Sequence, residues 1–485
     1  MLQIVPENRG TAKPEETAKP DTRLRLREAF RAEVDRRVAG GDFAARERVA
    51  LEVANEMTCA DLTDELEKIV EAHGDGDLLI DGERYRFHAA GLGTYHSLTG
   101  PLRVRRPSFR KVGERNGATV IPLDKAAGLV ERATPVFAER VAMGKGDGPS
   151  RDLHRQLLAS HRVPPGRATL EKMGRRIGSA LGARRAQIEA VARRTEKLPE
   201  GTRTIWLGLD RTSAPMEETL PAGTPRRQRK RPRVRTPPPP VTVKYRMAYT
   251  GTVAFADAEG TLLDSFKYGA TRDDGPAEVL HSMMRDVRRA MRQDAALRIV
   301  VVQDAAKEMW TLVTAALHAE PSASHWEELV DHYHAMAHLW KAAEAMEGHT
   351  RAIMDEWRAS LRERDDAIDE IARRFEHEIA RGYRPAYRIA IENELTFITN
   401  NGARMKYASL RDAGFPIGSG PTEGACKSFF SVRCKRSGQR WSNAGLAATL
   451  ACRTHLLNKR LPVAMRTLRR RDYTARVEPV TKRAA

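Results

Sequence analysis

Two short apolar runs constrain the chain more than any other feature. Residues 204–209 (Thr-Ile-Trp-Leu-Gly-Leu) lead into Asp210, and residues 297–303 (Leu-Arg-Ile-Val-Val-Val-Gln) lead into Asp304. Short, largely apolar runs of this kind, rich in branched residues, read as buried strands and predict an α/β core. If the two strands are neighbours in one sheet, their ends bring two carboxylates together. A third acid comes from residues 416–427, Pro-Ile-Gly-Ser-Gly-Pro-Thr-Glu-Gly-Ala-Cys-Lys. Here a glycine-containing turn enters a helix with Pro421 at its first position and Glu423 in its opening turn, where negative charge is favoured. Lys427 follows four residues later on the same face, and Arg433, Lys435, Arg436 and Arg440 come next. One reading is a capped helix with a solvated basic end. The other places Glu423 across the sheet edge with Asp210 and Asp304. Three converging carboxylates bind hard divalent cations, two Mg2+ (or Mn2+) ions being the recurrent arrangement for displacement at a phosphodiester.

Charge narrows the class of partner. The formal net charge of +19 points to a polyanion, nucleic acid first and an anionic membrane surface second. No apolar run of about 18 residues occurs and the first residues lack a signal-peptide pattern, so membrane insertion and secretion are not expected. Cys59, Cys426, Cys434 and Cys452 fit neither a disulfide framework nor a zinc knuckle and read as reduced thiols of a cytoplasmic protein. Cys426 and Cys434 are expected on the inner face of the Glu423 helix.

A chain of 485 residues is expected to form two or three domains. Residues 1–20 read as a disordered lead-in. Residues 21–198 read as a mostly helical DNA-binding region, with helical patterns at 43–57 and 62–72. Within it, Asp81-Gly82 signals a small hairpin, and residues 102–106 alternate apolar and basic, putting Arg103 and Arg105, with Arg106, in a basic row that is either a solvated face or a DNA contact. Residues 151–181 predict two helices joined by a tight turn, with Leu153, Leu157 and Leu158 on the inner side of the first. The second carries Lys172, Arg175 and Arg176, as a recognition helix or an ordinary helical hairpin would.

The core is expected over 199–338 and 406–460. Between its first strands lies residues 226–235, a run of Arg and Lys that includes Arg229, Lys230 and Arg231. It reads as an extended loop, either a solvated tether or a clamp on phosphates. Strands at 241–255 and 261–268 and a helix at 277–291 follow. His334 and His338 share a helical face after Asp331, but with no fourth ligand nearby structural packing is preferred to zinc. Residues 339–405 read as an inserted helical subdomain with Trp340, Trp357, Phe375 and Ile379 inside, and residues 461–485 as a mobile basic tail.

The blocks at 209–216 (Leu-Asp-Arg-Thr-Ser-Ala-Pro-Met), 301–304 (Val-Val-Gln-Asp), Asp331 with Tyr333-His334-Ala335 and His338-Leu339, and the Glu423 block resemble, in the same order, bacterial insertion-sequence transposases of the ISKra type. The similarity runs from about residue 85 to about residue 460. It departs at Arg211, Ala305 and Ala337. The resemblance implies a DDE transposase with a ribonuclease-H-like (retroviral-integrase-like) core interrupted by an all-helical insertion. It also implies Asp210, Asp304 and Glu423 as the catalytic and metal-binding triad, and Asp331, His334 and His338 as secondary active-site residues, to which the spacing from Glu423 adds Lys427. The implied partners are double-stranded DNA, as element ends and target, and further copies of the chain, in a nucleoid-associated bacterial protein. The competing classes are a DNA-binding derivative that has kept the fold without the chemistry and a ribonuclease-H-like structure-selective nuclease.

Overall fold

The apolar run before Asp210 is the first half of a longer strand. In the computed structural model, which describes residues 20–38, 40–219, 241–346, 350–382 and 384–480, β1 (Thr204–Thr219) continues through Asp210 for nine further residues. It pairs antiparallel with β2 (Val241–Ala256) along its whole length, Thr204 opposite Ala256 and Thr219 opposite Val241. Asp210 is therefore inside a strand and not at its end, a correction that arises because pairing with β2 supports the polar half of β1. β3 (Leu262–Ala270) follows antiparallel after the turn at Gly260, whose φ of 78° suits glycine. On the other side of β1 lie β4 (Arg298–Gln303) and then β5 (Glu327–Val330), each parallel to its neighbour. The sheet order is β3-β2-β1-β4-β5, and β2 alone runs against the rest.

Helices cover this mixed α/β sheet because its central strands are apolar on both faces. α1 (Gly275–Gln293) buries Val279, Met283, Val287 and Ala290 at helical spacing. It approaches β2 so closely at Gly251 that a Cβ there would lie 2.4 Å from Val279 and from Met283. α2 (Lys307–His318) follows β4, and α3 (His332–Ala345) follows β5. The predicted insertion forms α4 (Thr350–Glu363), α5 (Ala367–Ala380) and α6 (Pro385–Asn401). Met354, Trp357, Leu361, Ile371, Phe375 and Ile391 share one buried cluster with the sheet, so these helices extend the core. Trp340, predicted inside, is 40% exposed and donates its indole N–H to Glu344. Ile379 is half-buried.

The first part of the chain holds more sheet than predicted. Pro20–Arg37 and Phe43–His73 are helices, the second unbroken where two were expected. The hairpin of Leu78–Ile80 and Glu83–Ala89 is present, but it belongs to a five-stranded antiparallel sheet completed by Ser108–Lys111, Thr119–Val120 and Val477–Pro479. A separate pair joins Leu92–His96 to Pro101–Arg105. The two predicted helices are Ser150–Ala159 and Arg167–Ala183. Leu153, Leu157, Leu170, Met173, Ile177 and Leu181 are buried as expected, whereas Leu158 is 53% exposed. Residues 1–19 and the basic run 226–235 lie outside the described residues.

The expectation of a mobile tail at 461–485 is overturned over residues 461–480, and residues 481–485 lie outside the described residues. α7 (Gly420–Cys426) and α8 (Asn443–Leu457) are followed by α9 (Leu461–Asp472), which buries Leu461, Ala464, Met465 and Leu468. Those four share a core with Val141, Leu170 and Ile188, and the last described strand pairs with Leu78–Ile80. The basic composition of the segment hid a regular apolar stripe on one face. Leu468 is fully buried, so Leu468→Ala is expected to cost about 2–5 kcal/mol in chemical unfolding, where a substitution in a free tail would cost almost nothing. No helix among the described residues is long and apolar enough to cross a membrane.

Candidate active site

Strand register places the carboxylates. The pairing of β4 with β1 runs from Arg298 opposite Thr204 to Val301 opposite Leu207, and carrying it forward sets Asp304 level with Asp210. The pairing of β4 with β5 ends with Gln303 opposite Val330, so Asp331 comes level with Asp304, and the Asp331 N–H donates to the Gln303 carbonyl at 3.0 Å. Three aspartates thus stand in a row across adjacent parallel strands. Asp331 is occupied as a fastener. Buried, it caps α3 by accepting from the His334 N–H at 2.7 Å, and it accepts from the Ser419 N–H at the entry to α7.

α7 brings the third predicted acid. Gly208 and Asp210 project from the same face of β1, since side chains alternate along a strand. Over Gly208 packs Thr422, whose hydroxyl is 2.7 Å from the Thr252 hydroxyl, and a Cβ at 208 would lie 2.0 Å from Thr422 Oγ1. The next residue, Glu423, joins Asp210, Gln303, Asp304, Asp331 and His334 in lining a cavity of about 460 Å³. Glu423 is largely exposed and ion-paired with Lys427 at 2.7 Å, the contact predicted from their spacing. Beyond it the helix widens into a π-helical turn, Lys427–Ser431.

Burial raises the carboxyl pKa of Asp210 even though the Arg211 N–H and the Cys426 side chain bond to it. Burial likewise raises that of Asp304; the charges of Asp210 and Asp331 add to the shift and the His334 imidazole, Nδ1 3.7 Å from Asp304 Oδ1, opposes it. Cys426, beside Asp210, has its thiol pushed up to about 11 by burial and by that carboxylate. His338 turns away: its Nδ1 is 2.6 Å from Glu394, its ring stacks on Phe397 at 3.7 Å, and burial lowers its pKa. It fastens α3 to α6.

Among the described residues no group of three or more His, Cys, Asp or Glu side chains is arranged to hold a metal ion, and Glu423 is ion-paired with Lys427. Asp210 and Asp304 are nonetheless donors of the type a hard cation takes. Asp210 and Asp304 are adjacent and unfavourable as a bare charged pair, and both polar ends of the buried Gln303 side chain, at the cavity wall, lack a protein partner. Mg2+ favours such carboxylate oxygens and retains waters that the Gln303 amide could bind.

An aspartate whose pKa is raised by folding destabilises the folded state when ionised, so the cost is present at neutral pH and disappears as pH falls to the ordinary carboxylate range near about 4. Asp304→Asn is therefore expected to raise the melting temperature of metal-free protein at pH 7.5, with the gain shrinking towards pH 4. A gain that grew on acidification would contradict the assigned strain.

The predicted basic contacts divide. Arg433 is 1% exposed, donates to the Lys145 carbonyl and lies over Trp441, so the expected phosphate contact is corrected to an internal support. Lys435 donates to the Thr212 hydroxyl at 2.5 Å, Arg436 pairs with Asp152 at 3.1 Å, and Arg440 pairs with Glu217 at 2.6 Å. Arg105 and Arg106 are tied to Asp75 and Asp124, while Arg103, Lys172 and Arg175 are exposed and Arg176 pairs with Glu131. Arg229, Lys230 and Arg231 fall outside the described residues. Of the departures from the resembled pattern, Arg211 pairs with Glu308 and Ala337 lines the carboxylate cavity.

Sequence reading missed Gln303, Thr422 and the contact over Gly208. A glycine inside an apolar strand was the available signal for a close approach. No model of a protein family matches this chain, and no curated protein matches it.

Proposed function

We propose that the chain is a DDE-type DNA transposase with a ribonuclease-H-like core, which cleaves the ends of its own element and joins them to target DNA. The observation that carries this reading is the register placing Asp304 level with Asp210, with α7 bringing Glu423 to the same cavity. The sheet order, with β2 alone reversed, supports the fold assignment, and the net charge of +19 supports a nucleic-acid substrate.

Asp210 and Asp304 would hold Mg2+ or Mn2+, with Glu423 completing the set once a phosphate draws Lys427 away from it. Bound there, the ions would supply an activated water and charge neutralisation at the scissile phosphate. His334 steadies the Asp304 carboxylate, and Asp331 holds the turn into α7, fixing the height of Glu423 above the sheet. Lys427 then serves as a point charge for a phosphate oxygen. Tyr333, 77% exposed and lining the cavity, offers a ring on which an unstacked base can rest.

Joining separates this reading from a structure-selective nuclease. Purified protein, Mg2+, a supercoiled target plasmid and labelled duplex carrying the flanks of the chain's own coding segment should yield covalent products linking label to plasmid. Cleavage without any joined product would favour the nuclease.

A further inference from the structure

A second basic surface lies apart from the carboxylates. A cavity of about 480 Å³ is bordered by Thr94 and His96 of the strand Leu92–His96, by Glu131 and Arg132, and by Lys172 and Arg176 of the helix Arg167–Ala183. Glu131, its only acidic lining residue among those described, is already satisfied by Arg176 at 2.9 Å and the Tyr473 hydroxyl at 3.0 Å. Glu131 and Arg132 have φ values of 52° and 65°, two successive non-glycine residues in the left-handed region, a strained turn. The turn is held by the His96 N–H donating to the Arg132 carbonyl at 2.9 Å, and it leaves the Arg132 side chain exposed at the cleft.

The neighbouring strand extends this surface. Thr94 is directly opposite Arg103, so the exposed Arg103 shares a sheet face with the Thr94 and His96 that line the cleft. On the other wall the helix is fixed. Leu170, Met173, Ile177 and Leu181 are buried, and a Cβ at Gly178 would lie 2.3 Å from the Ala448 carbonyl oxygen. The open face of the helix bears Lys172, Arg175 and Arg176 together with Glu171, whose carboxylate is ion-paired with Lys145. The hairpin arginine and the basic helix, separate in sequence, form one surface.

We propose that this cleft is a phosphate-backbone site for duplex DNA, with Arg132, Lys172 and Arg103 as its contacts and no reading of base edges. The choice of DNA rests on the proposed function, but the site is distinct from the carboxylate cavity. The test is equilibrium binding of a labelled duplex to the full chain in EDTA across a salt series, so it does not depend on cleavage. Arg132→Ala with Lys172→Ala should weaken binding to specific and random duplexes by a similar factor, about tenfold or more, and flatten the slope of log affinity against log salt by about 0.9 per lost contact. Arg132→Lys with Lys172→Arg should keep wild-type affinity and slope, which guards against misfolding as the cause. An unchanged slope in the alanine protein would overturn the proposal. So would loss confined to phosphatidylserine vesicles, which would make the surface membrane-facing. If wild-type protein binds DNA through this cleft but never cleaves it, the proposed function fails and the cleft stands.

Discussion

Asp304→Asn, Asp210→Asn and Glu423→Gln are each expected to lower DNA cleavage by at least about 10³-fold, equivalent to about 4 kcal/mol of barrier, while leaving duplex affinity within about twofold in EDTA. The amide keeps the shape of the side chain and removes the negative charge that holds a divalent cation. Asp210 and Asp304 are level on adjacent strands, so either substitution leaves a single carboxylate of the pair for the proposed cation. Glu423→Gln also frees Lys427 from its 2.7 Å ion pair, so DNA binding by this variant should be slightly tighter than wild type even as cleavage is lost. Under the proposed function one set of carboxylates serves both steps, so cleavage and joining should disappear together. Asp331→Asn should behave differently. Asp331 is engaged by two backbone N–H groups, so its loss should loosen the entry to α7 and reduce stability as well as rate.

Gly208→Ala should be the most damaging single methyl addition in the sheet. The added Cβ would meet Thr422 Oγ1 at 2.0 Å and the Val302 carbonyl oxygen at 3.1 Å. The β1 to β4 pairing cannot spread without breaking its ladder, so the Thr422 hydroxyl must turn away from Thr252 and the Thr422 Cβ, 3.0 Å from the added methyl, pushes α7 outward. Overpacking of this kind costs about 1–3 kcal/mol, and a displacement of about 1 Å at a catalytic group can cost about 10²-fold in rate. Thr422→Ala in the same chain removes the clashing oxygen and should recover much of the activity. Full activity in Gly208→Ala alone would show that the height of α7 does not set the position of Glu423.

What the sequence revealed was what is local. The apolar runs before Asp210 and Asp304 are strands because several consecutive buried residues leave few alternatives, and Glu423 meets Lys427 because four residues make about one helical turn. The polar half of β1, residues 210–219, was hidden: its strand character comes from pairing with β2, not from an apolar pattern. Arg433 lies in a run of basic residues, and nothing in that run signals that the Lys145 carbonyl, far away in sequence, waits for it. The fold of residues 461–479 was concealed by arginines on the exposed face of α9, although Leu461, Met465 and Leu468 carried the helical spacing. Asp331 and His338 were legible as important, but only tertiary contacts show them to be fasteners.

The most direct measurement is a cleavage assay with purified full-length protein and end-labelled duplex spanning the flanks of its own coding segment, with Mg2+, with Mn2+ and with EDTA. Strand-specific nicks that leave 3′ hydroxyl ends are expected in either metal, none in EDTA, and none from Asp304→Asn under any condition. Protein that binds this DNA yet leaves it intact in both metals, or an Asp304→Asn protein that nicks at the wild-type rate, would contradict the proposed function.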